Sequence, residues 1–279
     1  MHFNKIQKFL FGYFVVLTVY WVWLQSTGYR DTNWNYFYSF AFSLMPLLGG
    51  VLGMVRANIW GRTRSALGRA VTVFSAGLFA WGLGSMVWAY YNFIVGEAAP
   101  YPSVADVGYI VAAVMWVLGA FYLSKASGAR FGLRRTLPKV FALGLAVIIV
   151  GMSYYLLIEV ARDGVLLSEG TGALKAFLDV AYPVGDIVIL ASSLIIFGLS
   201  FKFLGGYYKN SIIVWLVGIA AMYFADFIFS YTTTTGSFYV GNWGDLVFAL
   251  ATGLMTFGVL GFTTRPLAAK TASAKTPEA

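Results

Sequence analysis

The chain has no cysteine, a single histidine and few charges: Asp, Glu, Lys and Arg together make up 11% of its 279 residues. Without cysteine there is no disulfide, no thiolate nucleophile and no Cys-based metal site. With His2 as the lone imidazole, a His-cluster zinc centre and a Ser-His-Asp triad are excluded. Lys and Arg are missing from the middle of every long apolar run. That removes a Schiff-base lysine, hence a retinal pigment, and leaves no obvious buried ion pair. Hydrophobic residues instead make up 59%, well off soluble-protein composition.

Eight apolar segments follow one another, at about Phe9–Gln25, Tyr36–Met54, Ala70–Phe93, Asp106–Leu123, Val140–Val160, Phe177–Leu199, Ser211–Tyr231 and Gly244–Thr263. Runs of about 20 residues suffice to cross a hydrocarbon core of ~30 Å. The expected fold is therefore all-α, a polytopic bundle of about eight transmembrane helices. Residues 1–263 form the membrane domain, and 264–279 a short polar tail with too little apolar surface to fold alone. The first run is long, rich in Tyr and Trp and lacks a small-residue cleavage pair, so it reads as a retained helix rather than a signal peptide.

Charge fixes the expected orientation. The N-terminus, three alternate links and the tail carry 2, 4, 5, 2 and 3 basic residues, 16 of the 19. The opposite links hold only Arg30, Arg162 and Lys175. Basic residues are retained on the cytoplasmic face, so both termini are expected inside, in a multi-pass plasma-membrane protein. The same rule accounts for the net charge of +8 without a nucleic-acid partner.

The segments pair into four hairpins, and the last three look alike. Each returning helix carries an aspartate near its start, in Pro102-Ser-Val-Ala-Asp106, Pro183-Val-Gly-Asp186 and Asn242-Trp-Gly-Asp245. Residues three, four and seven apart share a helix face, so Asp179, Tyr182, Pro183 and Asp186 project together. Pro183 has no N–H, which leaves the Asp179 carbonyl without its helical donor and should kink the helix. Asp106 with Tyr109, and Tyr223 with Asp226, repeat the spacing. Asp106 and Asp245 sit where a carboxylate caps a helix N-terminus, whereas Asp186 and Asp226 lie too deep for that. A carboxylate inside a span is costly and functional by default. With Trp243, these residues form the expected binding set: an acidic, aromatic-walled pocket for a cation or small cationic ligand. No cofactor is expected beyond such a cation. Most of the other Tyr and Trp, Trp21 and Trp88 among them, read as an interfacial belt.

The strings PYPSVADVGYI, AYPVGDIVIL and YFADFIFSY…GNWGDLVF, separated by membrane hairpins, give the stretch Trp88–Phe262 a likeness. It resembles the multi-helix membrane sensor region that precedes diguanylate-cyclase or histidine-kinase output domains in bacterial and archaeal signalling proteins. Only the short tail follows Thr263. The resemblance therefore implies a standalone sensor whose signal passes through a cytoplasmic or membrane partner, with no catalysis of its own. A proton- or cation-coupled transporter is the main alternative, because midplane carboxylates and broken helices suit it. An intramembrane aspartyl protease using Asp186 and Asp245 is a third, although a Gly-x-Gly-Asp string is absent.

The charge asymmetry generates a direct test. Reporter fusions after Arg69, Arg135 and Lys209 should report cytoplasm, and fusions near Glu97, Glu169 and Thr234 the exterior. An exterior signal after Arg135 would refute the eight-span arrangement.

Overall fold

The structure is a computed structural model that describes residues 5–127, 136–167, 172–200 and 208–263. The expected tail 264–279 and the basic residues Arg130, Arg134, Arg135 and Lys202 lie outside the described residues. The described chain is helical and contains no strand. Eight helices are long and apolar enough to cross a membrane, as in a multi-pass membrane protein. They are α1 (Lys5–Thr27), α2 (Asn33–Ala57), α3 (Ala66–Tyr90), α4 (Val104–Ser127), α5 (Thr136–Tyr154), α6 (Ala173–Ser200), α7 (Lys209–Thr234) and α8 (Trp243–Leu260). Widened π turns extend α3 over Tyr91–Val95 and α5 over Tyr155–Val160.

Side-chain caps start several of these helices. Ser65 accepts the Gly68 N–H at the head of α3, and Asn242 accepts the Asp245 N–H at the head of α8. Thr32 and Asn35 form a reciprocal capping box on α2. Each cap satisfies donors that a helix start otherwise leaves open.

Six helices close into a ring. Helix α3 packs between α2 and α4, α2 reaches α8, α8 packs on α7, and α6 touches both α4 and α7. Helix α1 is appended against α2 and α8, and α5 against α6. Aromatic rings fill the centre. Trp215 of α7 is fully buried, 4.1 Å from the Phe74 ring of α3 and 6.4 Å from Trp116 of α4. Trp81 of α3 meets Phe248 of α8 at 5.5 Å and Tyr109 of α4 at 5.5 Å.

Glycine sets two of the helix contacts. A Cβ on Gly108 would stand 2.6 Å from the Ala80 carbonyl oxygen and 2.8 Å from the Gly84 nitrogen, both backbone atoms. A Cβ on Gly218 would meet the Met255 nitrogen at 2.9 Å and the Ala251 oxygen at 3.0 Å. Gly84 and Gly218 thus act as small residues that let the backbones approach.

The bundle has two distinct ends. At one, the 28–32 and 235–242 connections meet, where Val240 N–H donates to Asp31 Oδ1 (3.0 Å) and Asn35 Nδ2 to the Val240 carbonyl (2.9 Å). Arg162 and Lys175 also belong to this end. At the other, the Trp60 indole donates to the Phe262 carbonyl (3.1 Å) and its ring stands edge-on to Tyr208. Arg69 covers the Tyr122 ring there at 5.5 Å.

Two sequence expectations are corrected. Trp21 is buried rather than interfacial, because its indole N–H is held by the carbonyls of Gly241 (2.9 Å) and Asn242 (3.2 Å). Helix α6 starts at Ala173, so Asp186 is at the middle of a 28-residue helix, while Asp106 and Asp245 are each the third residue of theirs. The likeness among the three returning helices therefore fails for α6, whose apolar start lies a turn before Phe177.

The glycine contacts predict a position-dependent penalty. Gly108→Val should cost about 1–3 kcal/mol, the usual range for overpacking, read as a lower midpoint in thermal or denaturant unfolding in detergent. Gly144→Val, on α5 where no atom stands within 4 Å of the added Cβ, should leave the midpoint nearly unchanged. Equal effects at the two positions would contradict the close approach of α3 and α4.

Candidate functional site

Helix α6 brings a polar face to the ring: Asp179, Tyr182 and Asp186, with Pro183 among them. The helix continues through Pro183. The Asp179 carbonyl, which would have bonded the missing N–H, instead accepts from Arg162 Nη1 at 2.7 Å. The same guanidinium donates through Nε to Ser230 Oγ of α7 at 3.3 Å. Arg162 is aimed there by the turn that ends α5. Asp163 and Gly164 take left-handed backbone angles (φ 54° and 77°), and Gly164 N–H returns to the Ile158 carbonyl at 3.0 Å. Glycine adopts such angles freely and aspartate tolerates them.

Towards α4, the Tyr182 hydroxyl donates to Asp106 Oδ1 at 2.5 Å. The other oxygen, Oδ2, accepts the Ser103 N–H at 2.6 Å, so Asp106 caps its helix and ties α4 to α6 at once. One turn towards the start of α6, Asp179 accepts from the Tyr101 hydroxyl (3.0 Å) and from Lys175 Nζ (2.9 Å). Burial and then the bond to Asp179 push the Tyr101 hydroxyl above the ordinary tyrosine range. Lys175 also stands over the Tyr101 ring at 5.5 Å. Its ion pair is an i,i+4 pair with the ammonium side partly exposed, a geometry that contributes little stability.

Towards α7, Asp186 and Asp226 lie close enough for each carboxyl group to act on the other's charge. Both residues are half-buried. Tyr223, one turn before Asp226, is buried and lies within electrostatic range of Asp186. Two neighbouring carboxyl groups do not both keep their charge unless a proton or a cation lies between them. Among the described residues no Lys or Arg forms a salt bridge with either, and no group of three or more metal-ligating acids or histidines assembles. The pair can therefore hold a proton or a single small cation, with no multi-carboxylate cage around it.

The remaining expected site residues lie elsewhere. Asp245 Oδ2 accepts the Gly241 N–H at 2.6 Å, in a local cap with Asn242. Asp186 meets Asp226 and not Asp245, so the carboxylate pairing expected for a protease is corrected. Asp245 is occupied in shaping its own helix start. Trp243 is exposed, edge-on to Trp21 at 4.5 Å, and does not join the acids. Tyr109 packs on Trp81 and feels the charges of Asp106, Asp245 and Asp226.

The expectation that the acids lack basic neighbours is also corrected. Lys175 pairs Asp179, and Arg162 is within electrostatic range of Asp186. Arg162, Lys175 and Tyr101 were missed as site residues because they lie at or beyond helix ends, where charge and aromatic content were read only for orientation and for the interfacial belt. The orphaned carbonyl at Pro183 was the one signal calling for a donor. An apolar groove of about 570 Å³ between α3 and α4, lined by residues such as Leu83, Val87 and Val107, offers no charged group and lies apart from this chemistry.

Compared with protein-family models, curated proteins and solved structures, the chain matches none.

The α4–α6 contact predicts coupling. Tyr182→Phe should cost about 1.5–3 kcal/mol, as for a hydrogen bond to a charged group. Combined with Asp106→Ala, the double variant should lose less than the two singles together, by about 1 kcal/mol or more. Strict additivity in unfolding measurements would show that the bond does not form.

Proposed function

We propose that this protein is a receptor-like integral membrane protein that takes an extracytoplasmic cation, or the cationic group of a small ligand, between Asp186 and Asp226. The observation that supports the reading is the proximity of two half-buried carboxyl groups, Asp186 at the middle of α6 and Asp226 on the neighbouring α7. In this reading the helices form four hairpins in the plasma membrane with both termini cytoplasmic, which the excess of basic residues on alternate links supports. The four acid-side connections then face outward. In this reading the signal passes to a cytoplasmic or membrane partner. Tyr223 and Tyr182 supply aromatic and hydroxyl neighbours suited to an ammonium group.

A second reading, a proton- or cation-coupled transporter, is favoured by one feature: the carboxyl pair sits next to the proline-interrupted turn of α6, the arrangement that alternating-access sites use.

Carbodiimide labelling tests both, because it modifies protonated carboxyl groups in apolar surroundings. Protein in proteoliposomes should label at Asp186 or Asp226, located by peptide mass spectrometry. Sodium, potassium or tetramethylammonium should protect in a concentration-dependent way. Labelling indifferent to all three would refute cation binding. Wild-type sodium or tetramethylammonium uptake that Asp186→Asn abolishes would move the function to transport, and cleavage of a transmembrane peptide lost in both Asp186→Asn and Asp226→Asn would move it to proteolysis.

A further inference from the structure

Arg162 stands at the junction of three elements and uses its donors in an unusual way. One nitrogen fills the backbone vacancy that Pro183 creates at Asp179, and another holds Ser230 of α7. Ser230 lies one turn beyond Asp226, and Asp179 two turns before Asp186, on the helices that carry the acid pair. A buried carbonyl without a donor is destabilising, and in an apolar span there is no water to substitute for it. A neutral donor would suffice for that purpose. An arginine brings in addition a permanent charge within electrostatic range of Asp186.

We propose that Arg162 is the positioning residue of the acid pair: it stands in for the missing N–H of Pro183, clamps α6 to α7, and acts as a resident positive charge that an incoming cation must compete against. The inference rests on the cation reading of Asp186 and Asp226 for its last clause. The clamp stands on the hydrogen bonds alone. In this arrangement the site's affinity is set by a residue outside it, on the α5–α6 connection. A ligand that shifts Arg162 also releases the Asp179 carbonyl and loosens α6 at its proline. Binding at the acids and the bending of α6 are thereby linked through one side chain.

The two roles separate by mutation. Arg162→Met removes donors and charge; Arg162→Lys keeps the charge with a less suitable donor geometry. Pro183→Ala restores the N–H and so makes the clamp at Asp179 redundant. Arg162→Met should lower the thermal midpoint by roughly 3–8 °C, as expected for a lost charged hydrogen bond. Pro183→Ala in the Arg162→Met background should recover most of that loss. In carbodiimide protection by sodium or tetramethylammonium, Arg162→Met and the double variant should both bind on the order of tenfold tighter, the scale expected for removing a nearby unit charge in a medium of effective dielectric ~20. Arg162→Lys should stay near wild type.

Failure of Pro183→Ala to recover the midpoint would overturn the clamp. Cation protection in Arg162→Met equal to wild type, or weaker, would overturn the competing charge. If the wild type shows no cation protection, the cation reading fails by itself, and the thermal comparison still decides the clamp. If Arg162→Met does not accumulate, the folded double variant supports the clamp, and absence of both proteins overturns it.

Discussion

The architecture depends on one constraint: α6 has to satisfy a polar face without water. Backbone and side-chain polar groups in an apolar span find partners inside the protein or exact a cost of several kcal/mol each. Helix α6 carries two carboxyl groups, a tyrosine and a carbonyl deprived of its donor by Pro183. Every one is answered from another element. Asp106 of α4 takes Tyr182, Asp226 of α7 stands near Asp186, Tyr101 from the 96–103 connection takes Asp179, and Arg162 takes the bare carbonyl. The closure of the six-helix ring is the solution to this accounting.

The ring is consequently held by two kinds of contact. Around α3–α4 and α7–α8 the backbones meet over glycine, with atoms so close that a methyl group does not fit. Such contacts are short-ranged and stiff, because dispersion falls off within an ångström of separation. At α4–α6 and α6–α7 ionisable groups face one another, sensitive to protons, ions and water. The aromatic column of Trp215, Phe74 and Trp81 belongs to the first kind and anchors the stiff wall. Chemistry that changes with the surroundings is thus confined to the wall formed by α6.

Hydropathy made the helices legible, since each is an unbroken apolar run, and helix-end logic located the caps at Asp106 and Asp245. Periodicity also showed that Asp179, Tyr182 and Asp186 share a face. What it could not supply was the partner of each, because a face fixes a direction along one helix and says nothing of which neighbour stands there. That is why the protease alternative could set Asp186 beside Asp245, although Asp245 is engaged by the Gly241 N–H four residues earlier. Arg162 was hidden for a different reason: its long side chain acts on α6 and α7 from a connection whose charge informed only orientation. Asn35 escaped notice too, being a neutral counterpart of the capping aspartates.

The order in which the polypeptide is made gives the α6–α7 contact a further significance. Chains leave the ribosome N-terminus first, at about 5–20 residues per second. Asp106 and Tyr101 therefore precede α6 and can receive Tyr182 and Asp179 as soon as they emerge. Asp186 has no such waiting partner, because Asp226 lies 40 residues downstream. For the seconds between their synthesis, Asp186 is a lone acid in a newly delivered segment. Helices α2, α4 and α8 take their starts from residues within their own first turns. Helix α6 is thus the one whose central acid has its carboxyl neighbour on a helix made after it, although each of the two is long and apolar enough to cross a membrane by itself.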